Sequence, residues 1–236
     1  MTRRIERFER VDSTMTIAAK LAAEGCAGGT IVIADEQTAG IGRHGHSWVS
    51  EKGTGLYASM VLRLPVEARA LPVVMLALGL AARDAIIELT TLVPDLRWPN
   101  DILIAGKKSA GILAQLEGDA IIAGIGINIA QTHFPPGLET PATSLVLEGA
   151  RVDREELLAA LAGAVDRYCA ILVDEGAGAI VRIFEASSSY ARGRRVRVQQ
   201  TNSAIEGVTE GLDESGFLMV RQDDGNITTV LAGGVR

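Results

Sequence analysis

"GIGRHG", residues 40–45, has the spacing G-x-G-x-x-G. That spacing marks a dinucleotide-binding turn, and its reading decides between a doubly wound parallel sheet and another fold. Such a turn needs a strand ending at the first glycine, a helix opening at the last, and an acidic residue closing the next strand. "GTIVIAD" (29–35) is a short apolar, β-branched strand, but Asp35 to Ala39 intervene before Gly40. After Gly45 comes "HSWVSEKGTG", which lacks helical periodicity and runs into the alternating strand "GLYASMVLRL" (55–64). No helix N-terminus is there to receive a pyrophosphate. The dinucleotide fold, and an NAD-binding oxidoreductase with it, is set aside. The glycines still let backbone N–H groups form a concave anion nest. Arg43 adds a fork suited to phosphate or carboxylate, flanked by His44 and His46.

The elements around this loop are mixed. "DSTMTIAAKLAAEG" opens with Asp12, Ser13 and Thr14 as helix-capping residues. A long helix is expected from about Leu71 to Leu89. "LRWPND" (96–101) is a strand entering a Pro-bounded turn, and 102–130 is a meander with turns at Gly106 and at Gly118-Asp119. A Pro-rich loop (131–152) and two helices, about 153–174 and 177–187, follow. At Ser187-Ser188-Ser189 the character changes, and residues 193–231 hold four short β-runs, the pattern of a small β-barrel or SH3-like module. The chain is therefore read as α+β, with one domain at 1–189 and a second at 190–236.

Composition narrows the function. The formal charge is −6, from 23 basic and 29 acidic residues, a poor balance for general binding to phosphate backbones. Arg192, Arg194, Arg195 and Arg197 are read as a charged strand entry that blunts a sheet edge. Cys26 and Cys169 form no C-x-x-C pair, so neither a metal site nor a disulfide framework is expected, and a cytoplasmic compartment fits. "MTRRIERFER" is followed by no apolar segment of the signal-peptide type. The apolar run "LPVVMLALGLAARDAIIEL" is interrupted by Gly79, Arg83 and Asp84 and reads as a buried helix, not a membrane span.

Three stretches point to a ligand. In "GIGIN" (124–128), Gly124, Gly126 and Asn128 alternate with Ile125, Ile127 and Ile129, so one strand face is aliphatic and the other nearly bare backbone. In "KKSAGIL" (107–113), Lys107 and Lys108 point to opposite faces if extended. One is then solvated, and the other points inward beside Gly111, where an ammonium needs an anionic partner. "RWPND" (97–101) adds a ring, a rigid turn, an amide and a carboxylate, which either cap the turn or bind a nucleotide or its metal.

Taken in order, "DSTM" (12–15), "EQTAGIGRHGHSW" (36–48), "RWPND", "KKSAGIL", "GIGIN" and the terminal "AGGVR" (232–236) resemble the biotin protein ligases over nearly the whole chain. The resemblance implies a mixed-sheet catalytic domain with a C-terminal SH3-like β-barrel. It implies an enzyme that joins the biotin carboxylate to the α-phosphate of ATP with Mg²⁺, giving biotinyl-5′-AMP. Biotin then passes to one lysine of a biotin carboxyl carrier protein. By resemblance, Lys108 and Arg43 are catalytic. Ser13, Thr14, Gln37, Gly40, Ile41, Gly42, Arg43, Lys108, Gly111, Gly124 and Gly126 match the biotin side. Arg43, Trp48, Asn100, Asp101, Lys108 and Asn128 match the nucleotide side. Mg²⁺ is expected through phosphate oxygens, with no site built by the protein alone and no tightly bound prosthetic group. A carboxylate attacking a phosphate brings two anions together, which is why two cations make chemical sense.

The pattern has departures. Ile41 and His46 stand where the family usually or often has Arg, Met15 where Asn is common, and Arg97 where Lys is common. The terminal "GGVR" lacks an acidic residue often found there. Some family members carry an N-terminal winged helix-turn-helix. Here the motifs begin at residue 12, so no DNA binding is expected, nor any membrane partner. Family members pair through sheet edges in some cases and are monomeric in others, which leaves a homodimer open. The alternatives are a lipoate- or octanoate-type protein acyl ligase, and a non-catalytic biotin or adenylate binder.

Overall fold

In the computed structural model the described residues are 3–199 and 204–235, without the His44 side chain. The first element is one that its charge conceals. Strand β1, Ile5–Val11, alternates between exposed and half-buried positions and pairs in parallel with β2, Ile31–Gln37. A parallel pair needs a crossover, and α1, Thr14–Ala23, supplies it; Ser13 caps this helix, its Oγ accepting from the Met15 N–H at 3.2 Å. Strands β3 (Gly55–Leu62), β4 (Asp95–Arg97), β5 (Asp101–Ile104), β6 (Lys107–Glu117) and β7 (Ala120–Asn128) complete a seven-stranded mixed sheet. Its order is β1-β2-β3-β7-β6-β5-β4, and every pair except β1–β2 is antiparallel. The expected meander is present. Ala105 and Gly106 both have positive φ, 50° and 76°, as a two-residue hairpin of the right twist requires.

The two faces of this sheet are treated differently. One face packs against α2 (Leu71–Leu89), α3 (Arg154–Glu175) and α4 (Ala177–Ser187), burying Ile31, Ile33, Leu56, Ile125 and Ile127. Helix α2 is apolar on nearly all sides, as a helix inside a core should be. By length and composition it could cross a membrane, but Val74, Leu76, Leu80 and Ile86 are fully buried in that core. Its Asp84 accepts from Tyr168 Oη at 2.7 Å and pairs with Arg83 and Arg167. On the other face α1 packs over a smaller cluster of Val32, Val61, Ala120 and Ile122. Further along β7 that face carries Gly124 and Gly126.

One irregularity sets the site. Asp101 and Ile102 pair with Gly111 and Ala110, whereas Leu103 and Ile104 pair with Lys108 and Lys107, so Ser109 is an extra residue in β6. Strict alternation would place Lys107 on the face of Gly111. The bulge reverses the alternation and places Lys108 there instead.

Past α4, strands β8 (Arg192–Gln199), β9 (Ala204–Leu212), β10 (Leu218–Arg221), β11 (Ile227–Val230) and β12 (Gly234–Val235) form an antiparallel sheet in the order β11-β10-β9-β8-β12. The sequence reading found four of these. It missed β12, which is two residues long and exists by pairing with β8. Gln200 of the expected first run and Arg236 of the terminal motif lie outside the described residues. Val196, Val198, Leu218, Val220 and Val230 share one continuous core with Leu96 and Phe184, and buried Trp98 donates from Nε1 to the Gly216 carbonyl at 2.9 Å. The arginine run is paired along its strand: Arg192 with Glu185, Arg195 with Asp223, Arg197 with Glu206, and Arg194 over the Tyr190 ring at 3.9 Å. It is a charged strand entry, as its spacing predicted.

Candidate functional site

A cleft of about 1070 Å³ opens on the glycine-bearing face of the large sheet. Its floor is a row of directly paired residues, Asp101, Gly111, Gly126 and Tyr57. The glycines are not bare. A Cβ on Gly126 would stand 2.5 Å from Trp48 Cε2 and Nε1, one on Gly111 would stand 2.9 Å from Trp48 Cζ3, and one on Gly124 would stand 2.5 Å from Met15 Sδ. The sequence predicted close approach at these positions; the groups that approach are an indole and a thioether of the chain itself.

At one end lie Ser13, Thr14 and Gln37. Gln37 Oε1 accepts from the Thr14 N–H at 2.8 Å and from its hydroxyl at 3.0 Å, while Gln37 Nε2 donates to Ser50 Oγ at 2.8 Å. Thr14 Oγ1 lies 2.8 Å from Ser59 Oγ. The end is polar, buried and internally paired. It can present hydroxyls to a small polar head group while Met15 closes the apolar side.

The middle of the cleft holds the cations. Lys108 Nζ is 2.6 Å from Asp101 Oδ1, and Arg97 Nη2 is 2.5 Å from Asp101 Oδ2 and donates to Thr140 Oγ1 at 2.7 Å. The inward lysine therefore has the anionic partner that its position demanded. Lys107, on the other face, pairs with Glu148 at 2.5 Å instead of being free in solvent. Lys108 Nζ also lies 5.5 Å from the centroid of the Trp48 ring. Arg43, in the single 3₁₀ turn Arg43–Gly45, donates to Asn100 Oδ1 at 3.2 Å; Asn100 is itself fixed by donating to the Ile112 carbonyl at 2.9 Å. Burial pushes the Arg43 guanidinium below its ordinary pKa, against the opposing pull of Asp101. That turn is followed by extended chain, which bears out the rejection of a dinucleotide fold.

Beyond the cations, Asn128 donates to the Thr143 carbonyl at 2.9 Å, and the loop that the sequence marked only as Pro-rich forms a wall with Phe134, Pro135 and Leu138. This loop is tied to β6 by Lys108 N–H to the Pro141 carbonyl at 2.7 Å and Thr143 N–H to the Lys108 carbonyl at 2.9 Å. Ile205, Thr228, Thr229 and Leu231 of the C-terminal sheet line the far side.

Of the residues expected in the site, all but one line the cleft. Gly40 does not: its carbonyl accepts from the Trp48 N–H at 2.8 Å, and it closes the loop from behind. Ile41, 43% exposed, sits at the rim, its backbone bridged to Ser47. Tyr57, Ser59 and Gln131 were missed, because no spacing marks them; only the packing of the 131–150 segment brings Gln131 to the wall. His133 also lines the cleft, its Nδ1 2.9 Å from Thr132 Oγ1. Neither thiol is placed for catalysis. Cys26 is not on the cleft, and burial pushes the Cys169 thiol up to about 11.

Residues 7–131 match the Biotin/lipoate A/B protein ligase family, and residues 192–235 match the Biotin protein ligase C terminal domain. The chain belongs to this family. Its C-terminal match places it among the biotin protein ligases. It is 34% identical over 232 residues to a Biotin--[acetyl-CoA-carboxylase] ligase of Paracoccus denitrificans, covering 90% of this chain and 92% of that one. It is 32% identical over 223 residues to the Bifunctional ligase/repressor BirA of Bacillus subtilis, covering 91% of this chain and 68% of that one. The structure of a biotin protein ligase from Aquifex aeolicus, in complex with biotin and ATP, superposes with a TM-score of 0.86 at 30% identity, covering 99% of this chain and 97% of that one.

Proposed function

We propose that this family member joins biotin to ATP in the cleft and then passes biotin to a lysine of a biotin carboxyl carrier protein. In the first step a carboxylate oxygen attacks the α-phosphorus, an anhydride bond forms and pyrophosphate leaves. In the second the acceptor amine attacks the carbonyl carbon, an amide forms and AMP leaves. The observation that carries this reading is the position of Lys108 and Arg43. They stand between the Thr14–Gln37 end, which suits a ureido head group, and the Asn128 end, which suits a nucleotide.

Lys108 and Arg43 lower the repulsion between the two anions and stabilise the charge that builds at phosphorus. Asp101 holds Lys108 from one oxygen and Arg97 from the other, which fixes where the ammonium points. Mg²⁺ supplies further charge neutralisation when bound with the triphosphate. Such an ion would be held by phosphate and water oxygens, because both oxygens of Asp101 are taken by Lys108 and Arg97. The loop from Thr38 to Ser50 shields the anhydride from water. The C-terminal sheet is read as an SH3-like module that walls the nucleotide side, within a domain division near residue 190. Free cysteines go with a cytoplasmic setting.

The test is pyrophosphate release with ATP, Mg²⁺ and either biotin or lipoate, in the wild type and in Lys108→Ala. Release with biotin alone, lost in the variant, is expected. Release with lipoate instead would move the chain to the lipoate branch, and release by neither would leave a binder.

A further inference from the structure

The row of paired residues on the cleft floor extends one place further, to Arg97. Arg97 pairs with Asp101 across the turn between β4 and β5, and Asp101 pairs with Gly111. Directly paired residues present their side chains on one face of a sheet. The backbone register therefore sets the guanidinium beside the carboxylate. Arg97 is buried, and its Nη2 reaches Asp101 Oδ2 at 2.5 Å and Thr140 Oγ1 at 2.7 Å. The first bond is to the cleft floor and the second is to the 131–150 segment that walls the cleft.

Asp101 thus stands between two cations, Arg97 on one oxygen and Lys108 on the other. Its charge also acts on a third, Arg43, where it opposes the effect of burial. This arrangement bears on what Lys108 can do. An ammonium alone with a carboxylate away from water is held tightly, because attraction grows as the dielectric falls. Parting such a pair leaves an uncompensated charge behind. A lysine held in that way would stay with Asp101 when substrate anions arrive. Arg97 changes the balance. The carboxylate keeps a permanent cation on its other oxygen, so Lys108 can turn to an incoming anion without stranding it. The same contact stops the carboxylate from turning to follow the ammonium. A guanidinium suits this task, being planar, always charged and able to keep Asp101 and Thr140 together.

We propose that Arg97 is a positioning residue for the adenylation step: it holds Asp101 against Thr140, so that the carboxylate aims Lys108 and yet releases it to the substrate anions. This rests on the ligase reading of the cleft.

The experiment measures, for the full chain, the rate constant of biotin-dependent pyrophosphate release at saturating biotin, ATP and Mg²⁺, and the concentration of each substrate that gives half of it. The variants are Arg97→Met, Arg97→Lys and Thr140→Val, each made both with Asp101 and with Asp101→Asn. Arg97→Met lowers the rate constant by about tenfold or more and leaves both half-saturating concentrations within about twofold of the wild type. Arg97→Lys, which keeps a cation, loses clearly less. Thr140→Val keeps the arginine, removes only its anchor and loses about two- to threefold. With Asp101→Asn in place, Arg97→Met and Thr140→Val each change the rate constant by less than about twofold, because the charge they act through is gone. A loss in Arg97→Met that is as large with Asp101→Asn as without it, or that shows as a raised half-saturating concentration of ATP, makes Arg97 a phosphate ligand and overturns the assignment. So does a wild-type rate in Arg97→Met, or an Arg97→Lys as slow as Arg97→Met. Should Arg97→Met fail to fold, Thr140→Val decides: a loss that vanishes with Asp101→Asn supports the assignment, and an unchanged rate overturns it. No release by the wild type with ATP and biotin overturns the ligase reading itself and this assignment with it.

Discussion

The two ends of the cleft are built on opposite principles. At the Thr14–Gln37 end every side-chain group described above has a partner inside the chain: Gln37 serves Thr14 and Ser50, and Thr14 reaches Ser59. From the middle of the cleft to the other end, Arg43 has one hydrogen bond among the described residues, 3.2 Å to a neutral oxygen, and Trp48 Nε1 and Gln131 Oε1 have none. A satisfied polar network stabilises the fold and holds a fixed shape. An unsatisfied one weakens the fold and gains when substrate arrives, so activity is kept at some cost in stability. The comparison teaches that substitutions at the two ends should fail in different ways.

The largest effect belongs to Arg43→Ala. Its kcat/KM for adenylation should drop by roughly 10²–10³, while its thermal midpoint stays level or rises, since a half-buried and poorly paired cation is removed. A midpoint falling as far as that of a Thr14–Gln37 end variant breaks the contrast. Gln37→Leu comes next. It strands the Thr14 N–H, leaves the Thr14 hydroxyl with Ser59 and Ser50 Oγ with the Trp48 carbonyl as remaining partners, and should cost about 3 kcal/mol with the loss of all three bonds. That corresponds to roughly 6–12 °C in the midpoint of a chain this size, read by calorimetry without any substrate.

Gly126→Ala tests the ground between the ends. Its methyl group would sit 2.5 Å from the Trp48 ring, so the indole must leave, at about 1–3 kcal/mol. A red shift in tryptophan emission and weaker biotin binding are expected; unchanged emission would mean that the floor yields instead.

The smallest effect lies at Glu148, whose pKa Lys107 and then Thr143 hold below the usual carboxylate value. A depressed carboxylate contributes stability that is present above the unfolded pKa, about 4.3, and is lost as pH falls through the lower folded value. Glu148→Gln should therefore lie below the wild type in midpoint at pH 7 and converge with it in acid. A gap that persists at low pH would show that shape, and not charge, anchors the 131–150 segment.

The sequence carried the frame and the chemistry unevenly. Gly106 and the Gly118-Asp119 pair announced the hairpins, because few other residues take those turns. The alternation in "GIGIN" announced a face meant for close contact. β1 was hidden because its arginines and glutamates line an edge strand that is nowhere fully buried, which leaves no apolar periodicity to read. That Trp48 and Met15 cover the glycines, and that Gly40 stands behind the wall, depends on how the loop from Thr38 to Ser50 folds back. Gln131 looked like any polar residue in a loop, since its burial comes from partners up to 74 positions away.

The bulge at Ser109 makes the chain's spacing here matter more than its lettering. Substitutions around Lys108 change what the ammonium touches; deleting the single extra residue would turn it to the opposite side of the sheet, into the helices. The stretch from Lys107 to Gly111 should thus depend on its length as strictly as on Lys108 itself. A related chain that keeps the lysine but has one residue fewer before the glycine would carry the right side chain at the wrong address.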